Sequence, residues 1–309
     1  MAKRVNRNPA FYPFLVTLLA IALLSLMDGF MKSAALAVGA YSALLIRSAI
    51  SVSLMGPVWL RLGAQKPDKQ AMRIHIIRGV NSAFMALTFF SALVYLPLAE
   101  SIALAFISPL IALGLAAIIL KEKIARKTII AAILGLAGVA VIIGGRIGQE
   151  SMSEEAALGV ALVLISALLY AWNLILQRQQ ALVAKPVEIT FFQNVIVGLV
   201  LLVGVPFFLQ LPSDPSTWLD IFLTSILALA GSLMLAWAYA RAEAQVLVPV
   251  EYTGFAWAAL FGWLLFGEHV EMPTIAGAAL IIIGCWIAAP RKHTEQAATG
   301  AASEFGDRE

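Results

Sequence analysis

The sequence contains two versions of one segment, KEKIARKTIIAAILGLAG at residues 121–138 and GEHVEMPTIAGAALIIIG at residues 267–284. A shift of 146 residues aligns the two without a gap and places Glu122 on Glu268. In each copy a short polar stretch is followed by an apolar run with glycines at matching places. This similarity indicates that the chain contains an internal repeat.

The same shift aligns residues in other parts of the chain. It places Lys32 on Arg178 and Ala92 on Ala238. Because the offset is constant over several predicted helices, we interpret it as a duplication of a whole unit. Each unit holds five apolar runs, and an odd number of membrane crossings inverts the second unit relative to the first. Inverted repeats of this kind are typical of secondary transporters.

The composition is that of an integral membrane protein. Of the 309 residues, 61% are hydrophobic and 13% are charged, and the mean hydropathy is +0.91. A soluble domain has about 25% charged residues, because its surface is in contact with water. The runs are continuously apolar and do not alternate, which favours helices over a membrane β-barrel.

Ten apolar runs predict an all-α integral membrane protein with ten transmembrane helices, arranged as two inverted five-helix repeats. The predicted spans are 10–31, 40–61, 74–96, 98–120, 126–144, 157–177, 188–210, 218–240, 246–266 and 273–289. The predicted units are a cytoplasmic N-terminus (1–9), a first repeat (10–144), a periplasmic linker (145–156), a second repeat (157–289) and a disordered cytoplasmic tail (290–309).

Basic residues are concentrated in alternate connections. The N-terminus and the connections after even-numbered runs contain most of the lysines and arginines, whereas the connections after odd-numbered runs contain acidic residues such as Glu154 and Glu271. Cytoplasmic loops are enriched in Lys and Arg. We therefore expect both termini in the cytoplasm and the protein in the inner membrane. The same placement explains the +3 net charge without a nucleic-acid partner.

Two segments resemble the EamA-type members of the drug/metabolite transporter superfamily. They are ALVYLPLAESIALAFISPLIALGLAAIILKEKI, residues 92–124, and VPVEYTGFAWAALFGWLLFGEHV, residues 248–270. Pro109 stands in the family's proline position, whereas the second repeat has Phe255 where many members have a proline. The resemblance implies ten helices in two inverted units, with a central cavity lined by helices 1, 3, 4, 6, 8 and 9. It does not identify a substrate.

Ionisable residues inside apolar spans cost about 2.5–3.5 kcal/mol on insertion scales, so each needs a partner or a function. Glu251 lies about six residues into the ninth span, and Arg78 in the third span has a similar predicted depth. Glu251 is therefore part of a binding or coupling site, or paired with Arg78 alone, or snorkelling at the lipid edge. Tyr252 adds a hydroxyl beside it. Asp28 and Arg47 form either a structural ion pair or a site for a substrate ammonium or a proton.

Several aromatic and amide side chains also lie deep in their spans. Trp172 and Trp237 are deeper than interfacial belts require, and we consider both belt and cavity placement. Asn81 is either a hydrogen-bonding contact between helices or a ligand contact. Solvation at a helix end explains Glu100 most simply, and Glu122 and Glu268 are interpreted as structural caps. The predicted substrate-binding residues are Glu251, Tyr252, Trp172, Asn173, Trp237, Tyr239 and Asn81, with Asp28, Arg47 and Arg78 as coupling or ion-pair residues.

The sequence favours a secondary transporter over two other classes. It contains no GxxxxGK[ST] motif, so this chain does not drive transport by ATP hydrolysis. A lipid-modifying enzyme needs clustered ionisable residues, and a scaffold or receptor needs a sizeable soluble domain. We expect no enzyme activity, no cofactor and no metal. The expected partners are a small polar metabolite, such as an amino acid or a related solute, and the bilayer, with the protein a monomer or a homodimer.

Overall fold

The computed structural model describes residues 11–63, 66–120, 126–147, 153–181, 183–239, 241, 247 and 250–288. Every regular element within these ranges is a helix. The helices are α1 (Phe11–Arg61), α2 (Lys69–Tyr95), α3 (Leu98–Ala105), α4 (Ser108–Leu120), α5 (Arg126–Ile147), α6 (Glu154–Ala181), α7 (Pro186–Leu202), α8 (Val205–Phe208), α9 (Pro215–Tyr239), α10 (Gly254–Phe266) and α11 (Met272–Ala288).

The first helix contains two of the predicted spans. Gly39 interrupts it with φ 79° and ψ 149°, a conformation that glycine adopts without the steric cost of a Cβ atom. By length and hydropathy, four helices can cross a membrane, namely Tyr12–Arg61, Lys69–Tyr95, Glu154–Gln177 and Pro215–Ala238. The other apolar helices are shorter, partly because breaks divide them.

The sequence repeat is also visible in the structure. Three pairs of helices begin 146 residues apart: Lys69 and Pro215, Ser108 and Gly254, and Arg126 and Met272. The helix contacts repeat in the same way. The pair α1 and α9 corresponds to α6 and α2 under this shift, and both pairs are packed together.

The packing divides most of the helices into two bundles, each with helices from both repeats. The first bundle contains α1 before Gly39, α9 and α10, and the second contains α2, α3, α4 and α6. In the first bundle, Gly231 of α9 lies against Leu24, and Leu265 of α10 lies against Gly29. Two further pairs lie beside the bundles: α5 packs on α11, and α7 packs on α1 and α2.

Three predicted spans are interrupted where continuous helices were expected, and one of them, 188–210, breaks at Val203 and Gly204 between α7 and α8. The span 98–120 breaks between α3 and α4, and the span 246–266 breaks at Tyr252 and Thr253. In the first repeat the cause is Pro109, which has no N–H to donate to the carbonyl of Ala105. The Ser108 hydroxyl donates to that carbonyl instead, at 2.6 Å.

The break at Tyr252 and Thr253 forms without a proline. The Thr253 hydroxyl donates to the Val250 carbonyl at 2.6 Å, and the Phe255 N–H donates to the Tyr252 carbonyl three residues earlier. Gly254 follows directly and weakens the helix further. The sequence EYTG therefore produces, by side-chain hydrogen bonding and a glycine, the interruption that Pro109 produces in the first repeat.

We predict that Gly138→Ala destabilises the protein, because α5 and α11 meet there without side chains. A Cβ atom at residue 138 would lie 2.6 Å from the Gly277 carbonyl oxygen, and forcing extra atoms into a packed core costs about 1–3 kcal/mol. Gly144→Ala, in the same helix with no atom within 4 Å, is the control and should leave stability unchanged or raised. Thermal unfolding of the purified protein measures both. Equal unfolding temperatures for the two variants would contradict this packing.

Candidate functional site

The two helix breaks meet at the centre of the fold. Phe106, at the end of α3, and Tyr252, before α10, are equivalent under the 146-residue shift, and their rings pack edge to face with centroids 5.3 Å apart. Phe106 and Phe255 also contact both hydrophobic core clusters. The aromatic side chains at the breaks therefore join the two halves of the core.

Glu251 and Tyr252 lie at this junction, as two neighbouring residues of one break. Glu251 is half-buried and acts electrostatically on the hydroxyls of Tyr170 and Tyr252. The Tyr252 hydroxyl interacts electrostatically with the Cys285 thiol, and that sulfur contacts the Phe106 carbonyl oxygen at 3.7 Å. A carboxylate, a phenol and a thiol are thus placed next to an interrupted helix.

Arg78 is held by amide oxygens of α6. Its Nε donates to Asn173 Oδ1 at 2.9 Å, its Nη2 to Gln177 Oε1 at 3.2 Å, and its Nη1 to Gln180 Oε1. We call these four residues the Arg78 cluster. Within the described ranges, no carboxylate forms an ion pair with Arg78 within 4.0 Å. The structure therefore gives this guanidinium neutral acceptors where the sequence suggested pairing with Glu251. Tyr170 interacts electrostatically with both residues.

The two asparagines both make contacts between α2 and α6. Asn81 Nδ2 donates to the Leu169 carbonyl at 3.0 Å, which is the helix-to-helix contact considered for it. Asn173 is buried, and its Nδ2 donates to the Ser82 hydroxyl at 2.8 Å. Asn173 therefore joins Arg78 and Ser82 in one network.

The predicted tryptophans are separate from this network. Trp172 and Trp237 are each 39% exposed. The Arg241 guanidinium lies 4.3 Å from the centroid of the Trp237 ring and donates to the Trp237 carbonyl. The Tyr239 side chain lies outside the described residues.

Asp28 and Arg47 are brought together, as the sequence suggested. The two side chains interact electrostatically. Arg47 also lies over the Phe90 ring, 5.3 Å from its centroid, and its Nη1 contacts the Met27 sulfur at 3.6 Å. Its Nε is buried without a hydrogen-bond partner. This guanidinium is thus held by one carboxylate and by polarisable side chains.

A buried lysine joins the two bundles at the end of α2. Lys32 of the first bundle donates to the Leu96 carbonyl at 2.8 Å and pairs with Glu268. Glu268 also accepts the Leu98 N–H, at 2.7 Å. We call Lys32, Leu96, Leu98 and Glu268 the Lys32 cluster. Glu268 therefore caps a helix of the other repeat and, in addition, neutralises a lysine, which was not predicted.

The turn that follows α10 determines the position of Glu268. Gly267 has φ 67° and ψ 20°, its N–H donates to the Trp263 carbonyl, and the Glu268 N–H donates to the Gly262 carbonyl. The first of these bonds is the 5→1 bond of an αL helix end, and the turn brings Glu268 back toward Lys32. At the same end of the bundle Glu100 is buried, with 5% exposure, so its interpretation as a solvated residue was wrong. Glu122 lies outside the described residues.

Sequence reasoning missed a second polar group adjoining the Arg78 cluster. The His75 ring is fully buried and lies between Gln180 of α6 and Glu188 of α7. The signal is the spacing of polar residues within apolar spans. His75, Arg78 and Ser82 share one face of α2, and Asn173, Gln177 and Gln180 share one face of α6.

Comparison with known proteins identifies the class. The model of the EamA-like transporter family matches residues 12–144 and 157–289, one match for each half of the chain. The chain belongs to the EamA-like transporter family, within the drug/metabolite transporter superfamily. It is therefore a multi-pass protein of the inner membrane and a transporter, not an enzyme.

Individual relatives have different substrates. The chain is 27% identical over 277 residues to the pseudopaline exporter of Pseudomonas aeruginosa, covering 88% of this chain and 93% of that one. It is 24% identical to a riboflavin transporter of Vibrio cholerae, over 77% and 79% of the two chains. It is 22% identical to an S-adenosylmethionine uptake transporter of Rickettsia prowazekii, over 68% and 69%.

A crystal structure of a protein 21% identical to this chain shares the fold. It superposes with a TM-score of 0.61 and covers 90% of this chain and 96% of its own.

We predict that Lys32 and Glu268 stabilise the protein as a coupled pair. Removing one partner of a buried ion pair costs about 3–5 kcal/mol, because the other charge stays buried. Lys32→Met and Glu268→Gln should each lower the unfolding temperature strongly. The double variant should lower the unfolding temperature by less than the sum of the two single decreases. Thermal unfolding in nanodiscs measures this cycle. Strictly additive losses would show that the two side chains act independently.

Proposed function

We propose that this chain is a secondary transporter that moves a small polar metabolite across the inner membrane by alternating access. The cargo that we propose is an amino acid or a related solute. It is bound where the two helix breaks meet, by Glu251 and Tyr252. Trp172, Asn173, Trp237, Tyr239 and Asn81 supply further contacts, and Asp28, Arg47 and Arg78 serve as coupling or ion-pair residues.

The observation that carries this proposal is the contact between Phe106 and Tyr252. Transporters built from inverted repeats bind substrate near the bilayer midplane, at interrupted helices where the repeats meet. Here both interrupted helices come together, and Glu251 stands in one of the breaks. A carboxylate at an interrupted helix can accept hydrogen bonds from a polar cargo, which is the role that we propose for Glu251.

The Lys32 cluster supports the alternating-access part of the proposal. It joins the first bundle to the second at one end only, the end where α2 passes into α3. Under the predicted orientation this end faces the periplasm. The arrangement then corresponds to a state closed on the periplasmic side, and opening that side requires separating Lys32 and Glu268 from Leu96 and Leu98.

The relatives indicate which compounds to test first. Riboflavin, S-adenosylmethionine, amino acids, nucleosides and polyamines can be screened by the thermal stabilisation that each gives to the purified protein. Uptake into proteoliposomes then establishes transport of the compounds that bind. A protein that is folded in liposomes and carries none of these solutes would count against the proposed substrate class.

Glu251→Gln is the sharpest variant for the site. It preserves volume and hydrogen bonding but removes the charge, so we predict that transport falls about tenfold or more, the scale of one lost charge-assisted hydrogen bond. If Glu251 carries a coupling proton, transport instead loses its pH dependence. Initial uptake rates from pH 5.5 to 8.5 measure both.

The control is Glu155→Gln, which removes an exposed carboxylate at the start of α6 and should transport like the parent protein. Folding of Glu251→Gln is checked by its unfolding temperature. A correctly inserted Glu251→Gln protein with parental transport at every pH would show that Glu251 has only a structural role.

A further inference from the structure

His75 connects the Arg78 cluster to the start of α7. Its Nδ1 lies 2.5 Å from Gln180 Nε2, and its Nε2 lies 3.0 Å from Glu188 Oε1. The ring also stacks on Phe192, with centroids 5.2 Å apart and planes 17° apart. The ring is 0% exposed, whereas the Glu188 side chain is 16% exposed. Three helices therefore fix the position of one imidazole.

The partners of this imidazole determine where its hydrogen is. A guanidinium only donates hydrogen bonds, so the amide of Gln180 turns its oxygen to Arg78. The nitrogen of the same amide therefore faces His75 and donates to Nδ1. Since Nδ1 accepts, the hydrogen of the neutral ring is on Nε2, and it is donated to Glu188. Each contact along this path then pairs one donor with one acceptor.

A second proton on His75 conflicts with this arrangement. It would bind at the Nδ1 lone pair, which already accepts from Gln180. The imidazolium has only donors, so Gln180 would have to turn its oxygen to His75 and its NH2 group to Arg78. Two donors would then face each other, and Arg78 would keep only Asn173 and Gln177. Protonation of His75 and the contact between Gln180 and Arg78 are mutually exclusive.

We propose that His75 is a proton-binding site whose occupancy determines whether Gln180 holds Arg78. Glu188, which accepts from Nε2, becomes the counter-ion of the imidazolium. This inference rests on the proposed function for its consequence: Arg78 also holds Asn173, a proposed substrate contact, so proton binding changes the binding surface. By linkage, a change at Arg78 alters the proton affinity of His75 equally.

The charges around the ring are consistent with this role. Among the described side chains, α7 contributes Glu188, and α6 contributes the neutral Gln177 and Gln180. Arg78 lies on the same helix as His75. Arg61 at the end of α1 and Lys185 before α7 are both exposed. The partly exposed carboxylate is thus the charged group that α7 places in contact with the ring.

The test uses nitrogen-15 NMR of histidine side chains in nanodiscs, which is practicable because the chain has three histidines. His75→Asn identifies the His75 signals by their loss. At pH 8 the ring should be the neutral form with hydrogen on Nε2. On acidification it should bind a proton, and the Arg78 Nε signal should change with the same midpoint. A ring that stays neutral from pH 5 to 9, or an Arg78 signal that does not follow it, would overturn the proposal.

Two matched variants distinguish a rotation of the Gln180 amide from a general effect of added charge on His75. In Gln180→Glu, carboxylate oxygens accept from both Arg78 and protonated His75, so the conflict disappears. The His75 midpoint should rise by about two pH units, a hundredfold in proton affinity. Gln177→Glu adds the same charge beside Arg78 without contacting His75. This variant should raise the His75 midpoint by less than about one pH unit. Equal shifts would contradict the mechanism.

These measurements need no transported substrate. Failure to transport any tested compound, with the His75 titration as described, would count against the proposed function and not against this site. Transport by a protein whose His75 ring never titrates would count against this site and not against the proposed function.

Discussion

A charge inside a lipid bilayer has to find its partners within the protein, because the hydrocarbon core supplies neither water nor counter-ions. This requirement organises the described part of the bundle. Lys32 is bound by a carboxylate and a carbonyl at the ends of other helices, Arg78 is bound by three amides of one helix, and Arg47 interacts electrostatically with Asp28 and lies over an aromatic ring. Each buried cation therefore fixes which helices are neighbours, so the polar contacts determine the packing of an otherwise apolar bundle.

The contacts also divide the molecule in a way that the chain order conceals. Each bundle takes helices from both repeats, so motion between the bundles is not motion between the two halves of the sequence. The broken helices lie where the bundles face each other, with Phe106 against Tyr252. A break supplies a flexible point in each helix and unpaired backbone groups close to the cargo. Such a motion would occur between two sets of polar contacts. The Lys32 cluster lies at one end, and the Arg78 cluster lies toward the other.

Much of the fold follows from the sequence, because the bilayer limits the alternatives. Apolar length gives the spans, and the 146-residue offset gives the equivalence of Lys69 with Pro215 and of Ser108 with Gly254. The site is harder to predict. Periodicity shows that His75 and Arg78 share a helix face, but nothing local shows that the face meets Glu188, which lies 113 residues away. None of the helix breaks was predicted, because an apolar run does not show where its helix is interrupted. Glu100 was misjudged because its helix end is covered by the second repeat.

Alternating access requires that the two bundles separate at one end as they approach at the other. Pulsed electron paramagnetic resonance tests it with spin labels on cysteine pairs, after Cys285→Ala removes the single native cysteine. One pair, Leu36 and Tyr95, spans the bundles near the Lys32 cluster, and the other, Val183 and Arg241, spans them at the opposite end. All four side chains are exposed. With Lys32→Met, we expect a longer distance for the first pair and a shorter distance for the second. Distances that stay fixed, or that lengthen together, would contradict alternating access through this cluster.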